Sequence, residues 1–293
     1  MSNPQRNTRI SDEETIASGV EDGMTLAFGE PYPMALIRAV IRRRAKNLTV
    51  ICSGVALDML IAADCVSKVI SYYAGGGTGI PVAPSFRAAA EANRIEIWEC
   101  EEGLLCAGLE AAAKGLPYLP WRGGVGTSLP EINADLKIIK DPFEGQTLIA
   151  VPAIKPDIAF LHAAQADHYG NVQHHGGPGW LDLFLHRAAK NTVVQVEKFV
   201  ANETIRANPW FTTIDNADAL VNTPYGAHPF YSRGYYLQDL TFVNDYLAAS
   251  KDASLGDRAG LENFFQNYIR DCARHSDYVN KIGMQRLQTL NEY

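Results

Sequence analysis

Apolar and polar residues fall in blocks of two kinds along this chain. Short runs rich in β-branched and aromatic residues, at Thr25–Phe28, Leu48–Cys52, Val69–Tyr73 and Ile95–Trp98, read as strands. Between them, apolar residues recur three and four apart at Pro33–Arg44, Leu57–Ala63, Ser85–Asn93 and Gly103–Lys114, the spacing of helices. Short apolar strands separated by helices predict βαβ units and an open, mostly parallel α/β sheet with helices on both faces. A second strand group follows at Thr147–Val151, Ile158–His162, Val193–Val196 and Ala219–Val221. Trp180–Lys190 reads as a helix packed on the sheet, and the chain from Phe230 onward as amphipathic helix rich in Tyr, Phe and Leu.

The punctuation supports this division. "SDEE" at Ser11–Glu14 has the form of a capping box opening a short helix through Ser18. Asp167–Gly170 reads as a tight turn between strands, with Gly170 supplying a positive φ. "LPYLPWRGGVGTSLPE", Leu116 to Glu131, reads as a Pro- and Gly-rich connection. Residues 1–10 are expected to be a flexible terminus, and residues 11–293 one α/β domain.

The 293 residues are 47% apolar and 20% charged, enough to bury a large core. The formal net charge of −7 argues against nucleic acid as the main partner. In the one basic run, Arg42, Arg43 and Lys46 share a solvated helix face. Five cysteines without a CxxC pair oppose a disulfide framework or a zinc site, and a reducing cytoplasm is the simplest setting. The first residues lack a signal-type apolar segment, and no stretch is long enough to span a bilayer.

Four stretches hold candidate chemistry. "YYAGGGTGIP", Tyr72 to Pro81, lies between a strand and a helix. Its Gly76, Gly77, Thr78 and Gly79 read equally as an anion-binding nest or a plain turn. It matches neither a dinucleotide fingerprint nor a P-loop. "WRGGVGTSLP" offers Arg122 to a carboxylate or phosphate beside Gly124 and Gly126; a flexible connection is the plainer reading. "ECEEGLL" gathers Glu99, Glu101 and Glu102 before an apolar helix. There the helix dipole stabilises acids, and open α/β sheets bind ligands at the carboxyl ends of their strands. His162, His168, His174, His175 and His228 show no metal-ligand spacing, and no G-x-S-x-G elbow supports a serine triad.

Several longer segments resemble a known family: "PMALIRAVIRRRAKNLTV", "AAAKGLPYLP", "KDPFEGQTLIAVPAIKPDIAFLHAAQADHYGNV", "AAKNTVVQVEKFVANETI", "PYGAHP" and "YVNKIGMQRLQTLN". In this order they are similar to the alpha chain of family I coenzyme A transferases, most closely the glutaconate branch. The resemblance implies a sheet of the CoA-transferase type and a homologous beta subunit in a heterodimer or heterotetramer. It also implies an acyl-CoA thioester as substrate, no permanently bound cofactor, and a nucleophilic glutamate on the partner. By position, Thr78 falls near a family hydroxyl facing the cleft.

The same chain also resembles the alpha subunit of steroid ring-opening CoA hydrolases. That resemblance implies a catalytic glutamate just before the glycine of "EG"; Glu102 stands there, where the glutaconate pattern is not acidic. "PYGAHP" and "NKIGMQRL" lean back toward the transferase. The sequence therefore reads as the alpha subunit of a CoA-transferase. Hydrolysis with Glu102 as base is the alternative. A second alternative is a non-catalytic stabilising subunit, and a sugar-phosphate isomerase of related fold is a more distant one.

Overall fold

The computed structural model describes residues 8–77 and 79–291. The elements run β1 (Arg9–Ser11), α1 (Glu13–Ser18), β2 (Thr25–Phe28), α2 (Met34–Arg43), β3 (Leu48–Ile51), α3 (Gly54–Ala62), β4 (Val66–Ile70), α4 (Pro84–Glu91), β5 (Glu96–Trp98) and α5 (Glu102–Ala113). Then come β6 (Tyr118–Trp121), α6 (Leu129–Ile132), β7 (Lys137–Lys140), β8 (Thr147–Pro152), β9 (Ile158–Ala166), β10 (Val172–Gln173), α7 (Asp182–Ala188), β11 (Asn191–Phe199), α8 (Asn202–Ala207), β12 (Thr212–Ile214) and β13 (Ala219–Asn222). The chain closes with α9 (Leu240–Ser254), α10 (Ala259–Phe265), a π-helical turn over Gln266–Arg270, α11 (His275–Ile282) and α12 (Met284–Thr289).

The main sheet is open, with strand order β1-β13-β11-β9-β2-β3-β4-β5, and every pair along that path is parallel. β10 adds antiparallel pairings to β9 and β12. Period-two alternation splits each central strand between two cores. Leu26, Phe28 and Phe160 face the layer of α2, α3, α9 and α10; Ala27, Ala159 and Leu161 face the layer of α5 and α7. Helices thus cover both faces, as the pattern of apolar runs implied.

Strand order determines where a cleft forms. From β2 the chain winds through β3 and β4 to β5 on one side; from β9 it winds through β11 to β13 on the other. β2 and β9 are neighbours, with Leu26 opposite Ile158 and Phe28 opposite Phe160. The winding reverses between them, and in open α/β sheets such a switch point leaves a crevice outside the carboxyl ends of the strands.

Three local expectations change. Arg9 and Ile10, assigned to a flexible terminus, pair in β1 with Ala219 and Leu220. Asp12, not Ser11, caps α1 by accepting from the Thr15 N–H at 2.8 Å. The stretch read as a connection from Leu116 contains β6, and Thr147–Val151 lies in a separate antiparallel sheet, β6-β8-β7, rather than in the main one.

The helical C-terminal third is tied down by buried polar groups. Asp58 of α3 accepts from Tyr246 and Ser250 of α9, each at 2.8 Å, and from the Phe86 N–H of α4 at 2.8 Å. Arg38 of α2 donates to the His228 carbonyl at 2.9 Å and contacts His275 Nδ1 at 3.1 Å, with its guanidinium 3.6 Å from the centre of the Tyr278 ring. Among the described residues no helix is long and apolar enough to cross a membrane.

Candidate active site

At the carboxyl edge of β2, β3 and β4, Phe28, Glu30, Ser53, Tyr72, Leu105 and Trp180 line a small open cavity that encloses about 10 Å³, room for roughly one water molecule. Phe28 and Ile51 end β2 and β3, so two strands bring Glu30 and Ser53 to the same rim. Ser53 occupies the cap position of α3, yet its hydroxyl makes no cap bond. It donates instead to Glu30 Oε1, which also accepts from Tyr32 Oη at 3.2 Å.

The opposite wall is the "HHGGPGW" loop. Asp182, at the start of α7, is fully buried; its two oxygens accept the N–H groups of Glu30 and Gly179, each at 3.1 Å. This carboxylate holds the loop against the end of β2. The approach is so close that a Cβ on Gly179 would lie 1.8 Å from the Glu30 carbonyl oxygen. Next along the loop, Trp180 Nε1 donates to Tyr72 Oη at 3.2 Å, and the two rings meet edge to face at 5.4 Å. Burial pushes the Tyr72 phenol above its usual range. The hydroxyl therefore stays protonated at neutral pH and, having accepted from the indole, can still donate into the cavity.

α5 supplies the third wall. Glu101 is its N-cap, with carboxylate oxygens accepting from Gly103 N at 2.7 Å and Leu104 N at 2.8 Å. Glu101 also takes the Trp121 indole N–H at 3.2 Å. It is thus a structural acid, occupied three times over. Glu102 is the first residue of the helix and exposed; among the described residues it has no hydrogen-bond or ion-pair partner. Leu105, one turn on, lines the cavity, and the Glu102 carboxylate is near enough to Tyr72 to help raise its phenol, after burial and the Glu30 charge. Glu99 lies past the end of β5, and its carbonyl accepts from Asn133 Nδ2 at 2.8 Å.

The loop bearing Arg122 returns to this end of α5, because β6 runs back along the helix. Trp121 lies against Gly103 and Gly123; a Cβ on Gly103 would meet the indole at 2.7 Å. Arg122 is exposed, and Gly124 and Gly126 both have φ of +81°. Glu102 and Arg122 thus occupy one end of the molecule. Gly76, Gly77 and Gly79 lie in a different segment, the loop that leaves the cavity wall after Tyr72. They follow Tyr72 in a self-bonded loop, with Gly76 N donating to the Ile80 carbonyl at 3.0 Å and Ile80 N to that of Gly77 at 3.2 Å. Gly79 lines a separate open groove with Arg87 and Lys251. Thr78 lies outside the described residues.

The histidines have local partners. His162 is buried, with Nε2 2.9 Å from Ser232 Oγ and 3.2 Å from Glu197 Oε1. Gln195 accepts from Leu36 N through its oxygen, so its amide N–H donates to His162 Nδ1 at 2.9 Å. The ring proton is then on Nε2, the wrong tautomer for a base toward Ser232. His174 Nδ1 meets Thr213 Oγ1 at 2.6 Å, and His228 bridges Tyr278 and Asp239. His168 stacks on Phe199 and His175 on Tyr235. Among the described residues, no three His, Cys, Asp or Glu side chains form a group able to hold a metal ion.

Sequence reasoning singled out Glu102 and Arg122 but missed Glu30, Ser53, Tyr72, Trp180 and Asp182. A polar "GEP" directly after an apolar strand was a local signal for Glu30. Its importance depends on β2 being the switch strand.

A parallel sheet with a switch point, and polar side chains gathered at its carboxyl edge, is a frame on which open α/β proteins build ligand sites. The chain belongs to the coenzyme A transferase family, whose model matches residues 10–217. The fold superposes on glutaconate coenzyme A-transferase from Acidaminococcus fermentans with a TM-score of 0.90 at 29% identity, covering 98% of this chain and 96% of that one. A 3-oxoadipate CoA-transferase chain of Pseudomonas knackmussii is 32% identical over 92% of this chain and 96% of its own length. The cholesterol ring-cleaving hydrolase IpdA subunit of Mycobacterium tuberculosis is 33% identical over 97% of this chain and 100% of its own. An uncharacterised protein of Archaeoglobus fulgidus is 33% identical over 96% of this chain, which spans 64% of that protein's length.

Proposed function

We propose that this chain is the alpha subunit of a heteromeric CoA-transferase that moves CoA between an acyl-CoA and a carboxylic acid. The observation that carries the reading is the exposed, unpartnered Glu102 at the start of α5, close to Tyr72 at the carboxyl edge of the sheet. The neighbouring acids have structural tasks: Glu101 caps α5 and Asp182 clamps the loop. A homologous beta subunit would complete the site on the exposed side that bears Glu102.

In this reading the partner's glutamate attacks the thioester carbonyl. The C–S bond breaks, CoA leaves as the thiolate, and a mixed anhydride remains. The thiolate then attacks the glutamyl carbonyl, releasing the donor acid and leaving a glutamyl thioester, and an acceptor acid reverses both steps. This chain forms the acyl wall and offers Tyr72 O–H to the oxyanion, a role in which one preorganised donor contributes about 10²–10³ in rate. Arg122, Gly124 and Gly126 are proposed substrate contacts on the Glu102 side. Gly76, Gly77, Gly79 and, on the family resemblance alone, Thr78 are proposed contacts on the other. No permanently bound cofactor is required.

The second reading is hydrolysis, with Glu102 taking a proton from water or from carbon beside a carbonyl. Its exposure without a partner, and the IpdA relative, favour this alternative. One experiment separates the two. The complex with its partner is incubated with acyl-CoA and reduced with borohydride, with Glu102→Ala run alongside. A reduced glutamyl residue on the partner supports transfer. Ring-opened or hydrolysed product without that adduct, abolished in Glu102→Ala, supports hydrolysis.

A further inference from the structure

The "HHGGPGW" loop carries a buried atom that lacks a partner. His174 is 4% exposed, and its Nε2 is sealed from solvent without a hydrogen bond. Buried polar atoms are nearly all bonded, so an orphan needs a reason. Asp182 Oδ2 stands 3.6 Å away, just beyond hydrogen-bond length. Asp182 is itself fully buried, and it accepts only from the N–H groups of Glu30 and Gly179 among the described residues. Its single ion-pair neighbour among them is His174. Because Asp182 is sealed inside this chain, a second subunit has no surface from which to reach it.

Thr213 settles which ring nitrogen holds the proton. Its hydroxyl has one hydrogen and two acceptors within reach, His174 Nδ1 at 2.6 Å and the Val172 carbonyl at 3.3 Å. The shorter contact takes it. Nδ1 then accepts, and the neutral ring bears its hydrogen on Nε2, the atom beside Asp182. In the reverse arrangement Nδ1–H donates to Thr213, and a bare Nε2 lone pair lies beside a buried carboxylate, two acceptors with no proton between them. The pocket that His174 shares with His162, Ser232 and Arg233 encloses about 10 Å³, room for roughly one water. A water there donating to a bare Nε2 is the competing arrangement.

We propose that His174 is a positioning residue: its Nε2–H supports the buried Asp182 charge, and through Asp182 it fixes the loop that sets Trp180 against Tyr72. His174 touches no substrate. Asp182 holds the Gly179 N–H, Trp180 follows directly, and its indole donates to Tyr72 Oη at 3.2 Å. The effect on turnover rests on the reading of Tyr72 as an oxyanion donor. The proton on Nε2 and the hold on the loop do not.

Two amide substitutions divide the functions of the ring. His174→Asn places its amide near Nδ1, where it can still meet Thr213, and leaves nothing at Nε2. His174→Gln reaches the position of Nε2 and restores an N–H toward Asp182. On the copurified complex, His174→Asn should lower Tm more than His174→Gln does. It should also lower kcat on acyl-CoA by roughly tenfold or more with KM little changed, within the hundredfold or so that a 1 Å misplacement costs. His174→Gln should rescue most of that loss. NMR of the wild-type complex carrying isotope-labelled histidine should show the His174 proton on Nε2, the signal being assigned by its disappearance in His174→Gln. A hydrogen on Nδ1 alone overturns the proposal, as does an Asn variant equal to wild type or a Gln variant no better than Asn. If the wild-type complex consumes no acyl-CoA, the CoA reading falls, and the NMR signal with the order of the two Tm values still decides this proposal.

Discussion

Gly179→Ala is the sharpest small perturbation of the cleft. The new methyl would sit 1.8 Å from the Glu30 carbonyl oxygen and 2.9 Å from Asp182 Oδ1. Neither neighbour can yield: one is backbone at the end of a central strand, the other a buried side chain. The loop must retreat by more than 1 Å to reach even the 3.0 Å that real Cβ contacts respect. That retreat breaks the Gly179 N–H bond to Asp182 and loosens the Glu30 N–H bond to the same carboxylate. Hydrogen bonds to a charged group are worth about 1.5–3 kcal/mol each, and the freed groups recover part of this from water. A net loss of roughly 2–4 kcal/mol follows, which for a chain of this length lowers Tm by about 4–8 °C. Trp180, next in sequence, is drawn off Tyr72, so turnover should fall as well. Differential scanning fluorimetry and an acyl-CoA assay on the complex read the two effects. A Gly179→Ala variant with wild-type Tm and turnover would refute the close packing of this loop on β2.

Two further outcomes are expected. Tyr72→Phe, which keeps the ring contact with Trp180 but removes the hydroxyl, should lower kcat by about 10²–10³ with little change in KM; an unchanged kcat removes Tyr72 from the chemistry. Burial, with the Arg38 charge beside it, pushes His275 down to about 3, below the ordinary value near 6.5, so the unfolded chain binds the extra proton first. Its contribution to stability is therefore full above about pH 6.5 and is lost as pH falls toward 3. The loss is roughly 2 kcal/mol by pH 5, measurable by urea titration, and His275→Gln should flatten that limb; identical acid limbs in the two proteins would contradict the assignment.

The architecture was legible because local pattern and fold agree. Thr25–Phe28 is a strand with the bounds its apolar run suggested, and the helix after "EEG" begins one residue early, at Glu102. Ile158–His162 reads as a strand, yet β9 continues to Ala166, because Ala163, Ala164 and Ala166 are buried without strong β-propensity. β6 was hidden by Pro117 and Pro120, residues that ordinarily argue against a strand and are tolerated at this sheet's edge. For the site, the acid run before an apolar helix correctly drew attention to α5 but could not tell the cap from its neighbour. The structure does so: Glu101 is bound by backbone N–H groups and Trp121, while Glu102 has no partner among the described residues. Glu30, Ser53, Tyr72 and Trp180 meet only because β2, β3 and β4 are adjacent and a loop about 150 residues away in sequence folds over them. No local pattern encodes that meeting; strand order does.

The central claim, that this chain forms half of an acyl-CoA active site completed by a beta subunit, is tested most directly by borohydride trapping on the complex. After incubation with acyl-CoA, peptide mass mapping should find one reduced glutamyl residue, on the partner chain, dependent on the thioester and removed by prior addition of the acceptor acid. An adduct on Glu102 of this chain, or acyl-CoA consumed at full rate with no adduct on either chain, would contradict it.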